Sequence, residues 1–243
     1  MMKNRFTRFL CALLACLLLA GLTACGGEGD GPQEPAYVTP GEYATDKPAP
    51  NVDMEAVRAE IDSLRVEDFG ETVRKTQYVK ITVRDHGDII IRLRPDIAPE
   101  TVENFSALVS EGFYNGLTIH RVVKDFVIQS GDPKGDGSGG SDRTVVGEFA
   151  ANGHRNDLSH IAGVLSMARR ADSYNSATSQ FMICSSDSAA NSLDGLSAAF
   201  GYVVAGMEVV LFVSEVEVTL GSGEVSRPVE PIIIEKICFV FKK

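Results

Sequence analysis

Residues 119–132 read IHRVVKDFVIQSGD and are the stretch that decides the fold. They place the guanidinium of Arg121, the ring of Phe126 and the carboxamide of Gln129 at a spacing typical of β-strands. This spacing predicts short strands near residues 118–120 and 126–129. We therefore expect these three side chains to be presented by strands.

The chain after residue 77 carries many short strand patterns and two isolated helix patterns. Pro99 opens a helix that we expect to run to about Glu111, because proline is favoured in the first helical turn and Gly112 follows as a stop. We expect the second helix near residues 209–216. The predicted strands cover residues 78–83, 88–93, 164–167, 180–185, 199–204 and 232–241.

This succession predicts a mainly β domain over residues 78–243. Short strands joined by glycine-rich turns favour a closed antiparallel barrel, since closure removes the exposed edges of a sheet.

The N-terminus has the pattern of an export signal. Lys3, Arg5 and Arg8 precede an apolar run over residues 9–22 that is too short to span a bilayer comfortably, so residues 1–24 are predicted to be a signal peptide. LTAC at residues 22–25, followed by two glycines, resembles the lipobox of bacterial lipoproteins. That resemblance implies lipidation of Cys25 and anchoring to the outer face of the cell membrane. The alternative is cleavage near Ala24 and secretion.

Two segments separate the signal from the domain. Residues 25–51 are rich in proline, glycine and acidic residues, with almost no aliphatic side chains, and are predicted to be a flexible linker. Residues 52–77 are predicted to be an amphipathic helix and a connector, because the apolar residues of 52–65 recur at mostly helical spacing. Whether this helix packs on the domain stays open.

Charge and cysteine content exclude some classes of protein. Without residues 1–24 the chain has 20 basic and 33 acidic residues, a formal charge of −13, which disfavours nucleic-acid binding. Cys184 and Cys238, the cysteines beyond residue 25, lie in apolar runs and are expected to be buried thiols, although export keeps a disulfide open.

No metal site is expected. His86, His154 and His160 lack metal-ligand spacing, and we expect the last two in loops or at the surface. Residues 131–142, GDPKGDGSGGSD, are predicted to form a glycine-rich turn, and a weak calcium site at their aspartates is the alternative.

Three segments together resemble the cyclophilins. They are residues 119–132, then GVLSMA at 163–168 with SQFMIC at 179–184, and finally LDGLSAAFG at 193–201, in the same order as in that family. The resemblance implies a closed eight-stranded antiparallel β-barrel capped by two α-helices. It also implies a monomeric peptidyl-prolyl cis-trans isomerase that needs no cofactor and acts on proline-containing unfolded or exported polypeptides.

The resemblance assigns roles to individual residues. Arg121 matches the catalytic arginine, and Gln129 matches the glutamine that bonds the substrate backbone and helps to hold the arginine. The proline pocket is matched by Phe126, Val127, Met182 and Leu193. The remaining substrate-binding positions are Ala168 and Arg169, through main-chain groups, together with Gln180 and Ser197. His120 is expected to serve structure.

Three positions depart from the family pattern. Met182 replaces a phenylalanine of the proline pocket, Ser192 replaces a tryptophan, and Ser197 replaces a histidine. We expect weak binding of cyclosporin-type ligands as a result. The alternative function is a proline-recognising chaperone or scaffold without catalysis.

Overall fold

The computed structural model describes residues 51–243. The predicted signal peptide, Cys25 and residues 25–50 of the linker lie outside the described residues. Across residues 51–243, none of the helices combines the length and the apolar character needed to span a bilayer.

The described part of the chain is mainly β, with a few short helices. The α-helices are α1 (Met54–Glu60), α2 (Pro99–Ser110), α3 (Ala190–Leu193) and α4 (Met207–Ser214). The strands are β1 (Phe69–Glu71), β2 (Tyr78–Val83), β3 (Gly87–Leu93), β4 (Thr118–Ile119), β5 (Arg121–Val123), β6 (Val127–Ser130), β7 (Val164–Met167), β8 (Phe181–Cys184), β9 (Ala199–Ala205), β10 (Val218–Leu220), β11 (Val225–Pro228) and β12 (Ile232–Lys242).

Ten of these strands form one antiparallel sheet in the order β1-β12-β2-β3-β9-β7-β8-β6-β5, with β4 paired to β12. The prediction of a closed eight-stranded barrel is wrong, because the hydrogen-bond ladder is an open path from β1 to β5. The chain changes partner at His120: Thr118 and Ile119 pair with β12, whereas Arg121 and the residues after it pair with β6. Chain continuity, and not a strand pair, therefore joins β4 to β5.

The inner face of the sheet carries the larger core. Phe105 of α2 contacts Tyr114, Phe181 and Phe200, with ring centroids 5.2 to 5.5 Å apart. Pro99 begins α2 as predicted, and the Glu148 carboxylate accepts hydrogen bonds from the first free amides, Glu100 N at 3.1 Å and Thr101 N at 2.8 Å. Helix α4 contributes Val209, Val210 and Val213 to the same core.

The outer face carries a second apolar cluster, and α1 packs on it. Val57 of α1 is 4 % exposed within this cluster. The Glu60 carboxylate accepts hydrogen bonds from Arg92 Nη1 at 2.7 Å and from the Tyr202 hydroxyl at 2.6 Å. Farther along, Leu64 N donates to Val204 O at 3.0 Å. Residues 52–77 are thus part of the folded unit.

Both cysteines of the described residues are free thiols. Burial raises the pKa of Cys184 to about 12, so its thiol stays protonated and inert.

Candidate active site

Strand register brings distant parts of the chain into one row across the sheet. Arg121 on β5 lies opposite Gln129 on β6, Gln129 lies opposite Met182 on β8, and Met182 lies opposite Ser166 on β7. Directly opposite residues point to the same face of an antiparallel sheet. The guanidinium, the carboxamide and the thioether therefore share the outer face.

The Arg121 side chain is held by two partners. Its Nη1 donates to Gln129 Oε1 at 3.2 Å, and its Nε donates to the Glu224 carboxylate. The hydrogen bond from Arg121 holds the pKa of Glu224 below its ordinary value, so Glu224 is a carboxylate at neutral pH. Gln129 Nε2 in turn donates to Gln180 Oε1 at 2.8 Å. Arg121, Gln129 and Gln180 thus form one hydrogen-bonded chain.

Gln180 connects this chain to the glycine-rich turn of residues 131–142. Its Nε2 donates to Gly137 O at 3.0 Å and to Gly139 O at 2.7 Å. The turn is organised by Asp132, which accepts hydrogen bonds from the amides of Lys134, Asp136 and Gly137. Burial alone would raise the pKa of Asp132, but these backbone donors outweigh it and lower the pKa. Within residues 51–243, no three His, Cys, Asp or Glu side chains are grouped to hold a metal ion.

Apolar residues of the outer cluster lie on the same face. Val127 and Met182 are buried in the outer cluster, and Phe126 and Leu193 pack against it partly exposed. Phe126 follows a turn in which Asp125 has φ of 56°, and its carbonyl accepts a hydrogen bond from Ser185 N at 2.9 Å. The four residues assigned to the proline pocket by resemblance are therefore brought together.

Hydrogen bonds among polar groups surround Leu193. Ser197 is buried, and its amide donates to Leu193 O at 3.0 Å. Asp194 Oδ1 accepts from His160 N at 2.8 Å, and His160 Nε2 lies 2.8 Å from Ser166 Oγ. His160 lies in a loop as expected, but it is 1 % exposed and so is not a surface residue.

Ala168 and Arg169 lie beside the chain of glutamines. Ala168 N donates to Gln180 O at 2.9 Å. The Arg169 side chain is directed elsewhere, since its guanidinium lies over the rings of Phe149 at 5.2 Å and Tyr174 at 5.0 Å. Its Nε donates to Leu196 O at 3.0 Å, which ties it to the turn after Leu193.

His120 lines the cleft next to Arg121 and is 8 % exposed. Burial lowers its pKa, which favours a neutral imidazole at this position.

Glu224 is the site residue that sequence reasoning missed. It lies in the turn of the hairpin formed by β10 and β11, at the rim of the cleft that contains Arg121. The sequence VTLGSGEVSRP carries a usable signal, because two short alternating runs flank a glycine-serine-glycine turn. That signal predicts a hairpin but does not say what the hairpin covers.

Comparison with known proteins agrees with this geometry. The family model described as "Cyclophilin type peptidyl-prolyl cis-trans isomerase/CLD" matches residues 78–238. The chain belongs to this family.

Relatives include a peptidyl-prolyl cis-trans isomerase of Schizosaccharomyces pombe, 40% identical over 62% of this chain and 91% of the relative. Peptidyl-prolyl cis-trans isomerase B of Bacillus subtilis is 41% identical over 55% of this chain and 87% of the relative. A Cryptosporidium parvum cyclophilin-type isomerase, crystallised in the presence of the dipeptide Ala-Pro, is similar in structure with a TM-score of 0.59 and 30% identity, covering 67% of this chain and 98% of that one.

This cyclophilin is accordingly a peptidyl-prolyl cis-trans isomerase. Its outer apolar cluster and the Arg121 guanidinium lie on the same face of the sheet.

Proposed function

We propose that Arg121 is the catalytic group and that Phe126, Met182 and Leu193 hold the ring of the substrate proline. One observation carries this proposal: strand register sets the Arg121 guanidinium in line with Gln129 and Met182, beside the apolar pocket. A prolyl ring bound in the pocket then places the prolyl amide within range of a cation.

The chemistry needs no covalent step. The barrier to rotation, about 18–20 kcal/mol, exists because the nitrogen lone pair is delocalised into the carbonyl. As the amide twists, that lone pair becomes localised and can accept a hydrogen bond. A guanidinium N–H donates to the twisted amide better than to the planar one, so it lowers the barrier. Arginine suits this role because it is always charged and its donors are rigid.

The remaining residues orient the substrate and the arginine. Gln129 holds Arg121 Nη1, and Gln180 holds Gln129 in turn. Val127 completes the pocket floor, and Ser197 supports the Leu193 turn. Ala168 and Arg169 bind the substrate backbone through main-chain groups, in keeping with the Arg169 side chain being turned toward Phe149 and Tyr174.

We further propose that the protein is a bacterial lipoprotein, lipidated at Cys25 and anchored as a monomer to the outer face of the cell membrane. The signal-like N-terminus, the lipobox-like LTAC and the linker of residues 25–51 support this. Its clients would be exported polypeptides, whose uncatalysed prolyl isomerisation takes about 10–100 s. Mass spectrometry of the native N-terminus tests the anchor, and an unmodified residue there would favour secretion.

The catalytic assignment is tested by exchange NMR on an Ala-Pro peptide. We expect Arg121→Ala to slow catalysed exchange about 10²-fold, since removal of one preorganised donor typically costs that much. Peptide affinity should change far less, because the pocket is intact. Lys124→Ala is the matched control, an exposed cation three residues away that pairs with Glu215. A folded wild type that binds the peptide without accelerating exchange would instead indicate a proline-recognising module.

A further inference from the structure

The hairpin of β10 and β11 forms one wall of the cleft that contains Arg121. Leu220, Glu224 and Arg227 of this hairpin line the cleft opposite His120 and Gln129. The hairpin is also attached to the glycine-rich turn: Ser222 Oγ donates to Asp136 O at 2.5 Å, and Arg227 Nη2 donates to Gly135 O at 3.3 Å. The position of Glu224 is therefore set by contacts on both sides of the cleft.

Glu224 and the prolyl amide of a bound substrate both interact with the Arg121 guanidinium in this proposal. In the absence of substrate, Arg121 Nε donates to the Glu224 carboxylate. When the guanidinium turns toward a twisting amide, its contact with Glu224 weakens and the carboxylate loses its cationic partner, while its hydrogen bond with Ser226 remains. Arg227, the other cation of this wall, is already engaged with Gly135 O. A cation supplied by the substrate would compensate Glu224 at that moment.

The surface next to Glu224 also suits a long basic side chain. Leu220 and Val225 flank the turn and are 68 % and 64 % exposed. Lysine and arginine place their aliphatic stems on apolar surface while the charged head stays in water. Leu220 thus offers a contact for the stem, and Glu224 offers a partner for the head.

We propose that Glu224 determines substrate specificity, and that this cyclophilin prefers proline segments that carry a lysine or arginine near the proline. The inference rests on the proposed role of Arg121. The Glu224 side chain is 45% exposed, so the added ion pair is a solvent-screened one. Pairs of this kind contribute about 0.2–1 kcal/mol, which corresponds to a preference of about 1.4- to fivefold in kcat/KM.

The test uses the purified protein and two peptide series, with Lys, Gln or Glu placed two residues before or two residues after the proline. Exchange NMR gives kcat/KM for each peptide at low and high salt. For wild type we expect kcat/KM to decrease from the Lys peptide to the Gln peptide to the Glu peptide in at least one series. The differences should be smaller at high salt, because screening weakens exposed pairs. Glu224→Gln should abolish these differences in kcat/KM, and Glu224→Lys should reverse their order.

Glu215→Gln is the matched control, because Glu215 is an exposed carboxylate paired with Lys124 outside the cleft. It should keep the wild-type order. The inference would be overturned if wild type showed no such preference in kcat/KM in either series. It would also be overturned if Glu224→Gln kept the wild-type preference. The Gln peptides measured with Arg121→Ala separate the two proposals: loss of their turnover supports the catalytic role of Arg121 whatever the charge preference, and its survival refutes that role.

Discussion

His160 and Asp194 are joined by two hydrogen bonds, because Asp194 Oδ1 lies 2.8 Å from both the amide nitrogen and Nδ1 of His160. Asp194 directly follows Leu193, which we propose as a wall of the proline pocket. On its other side, His160 Nε2 contacts Ser166, which lies opposite Met182, another residue of the proposed pocket. A polar chain that runs from the exposed Asp194 to the buried His160 and Ser166 thus connects two parts of the proposed pocket that are distant in sequence.

Removal of the Asp194 carboxylate should loosen the pocket. Asp194→Ala leaves Nδ1 of the buried His160 ring without its partner and frees the Leu193 turn, while Arg121 is untouched. We expect KM to rise about tenfold, equivalent to 1.4 kcal/mol, with a smaller change in kcat. Steady-state kinetics on an Ala-Pro peptide measure this split. Asp157→Ala, at an exposed carboxylate paired with Arg155, is the control. A fall in kcat with KM unchanged would contradict the positioning role.

The contact of α1 with the sheet should contribute to stability. Glu60→Gln removes the charge that binds both Arg92 and the Tyr202 hydroxyl in a partly buried position. Hydrogen bonds to charged groups contribute about 2 kcal/mol, and we expect the free energy of unfolding to fall by that amount. Urea titration should show a lower midpoint with an unchanged slope. Glu103→Gln, in an exposed pair with Lys75, should have little effect.

Glu60 should also make the free energy of unfolding depend on pH. Burial alone would raise the pKa of Glu60, but hydrogen bonds from Tyr202 and Arg92 outweigh it and hold the pKa below its ordinary value. The stabilisation is therefore complete above the unfolded-state pKa and is lost as pH falls through the lower, folded-state pKa. The stability difference between wild type and Glu60→Gln should be largest at neutral pH and should shrink in acid. A difference that grows in acid would refute this assignment.

Gly131 and Gly116 both have positive φ, and comparing their alanine variants separates the cost of the backbone conformation from the cost of a steric clash. Gly131 has φ of +90°, and an added Cβ would lie 2.3 Å from Ser179 O, whereas Gly116 has φ of +81° and open space around it. Gly116→Ala should cost about 1–2 kcal/mol for the left-handed backbone alone. Gly131→Ala should cost about 1–3 kcal/mol more, because backbone must move. Thermal unfolding compares the two, and equal losses would contradict the contact argument.

Ser192 should govern sensitivity to cyclosporin-type ligands. It is exposed beside Leu193, at the position where the resemblance to the cyclophilins implies a tryptophan. We expect weak inhibition of the wild type and, for Ser192→Trp, inhibition stronger by about tenfold, since a buried aromatic side chain contributes on the order of 1.5–3 kcal/mol. Inhibition titrations test this, with Ser192→Ala as control. Full sensitivity of the wild type to cyclosporin-type ligands would contradict the expected weak binding.

Much of the local structure follows from pattern alone. The alternation in YVKITV and DIIIRL predicts β2 and β3, and Pro99 with Gly112 delimits α2, because these signals act within a few residues. The candidate site was named from three separated segments, and register accounts for why Arg121, Gln129 and Met182 meet. The open sheet was not predictable, because the change of partner at His120 depends on how β12 is shared between β2 and β4.

The sequence by itself determined most of the strands, the main helices and the acidic charge, since periodicity and residue chemistry encode which face of an element is buried. Only the tertiary structure decided what each face meets. It placed α1 against Tyr202 and Arg92, His160 under the Leu193 turn, and Glu224 on an arginine 103 residues earlier in the chain. Such contacts arise from chain closure over long separations, which no local pattern specifies.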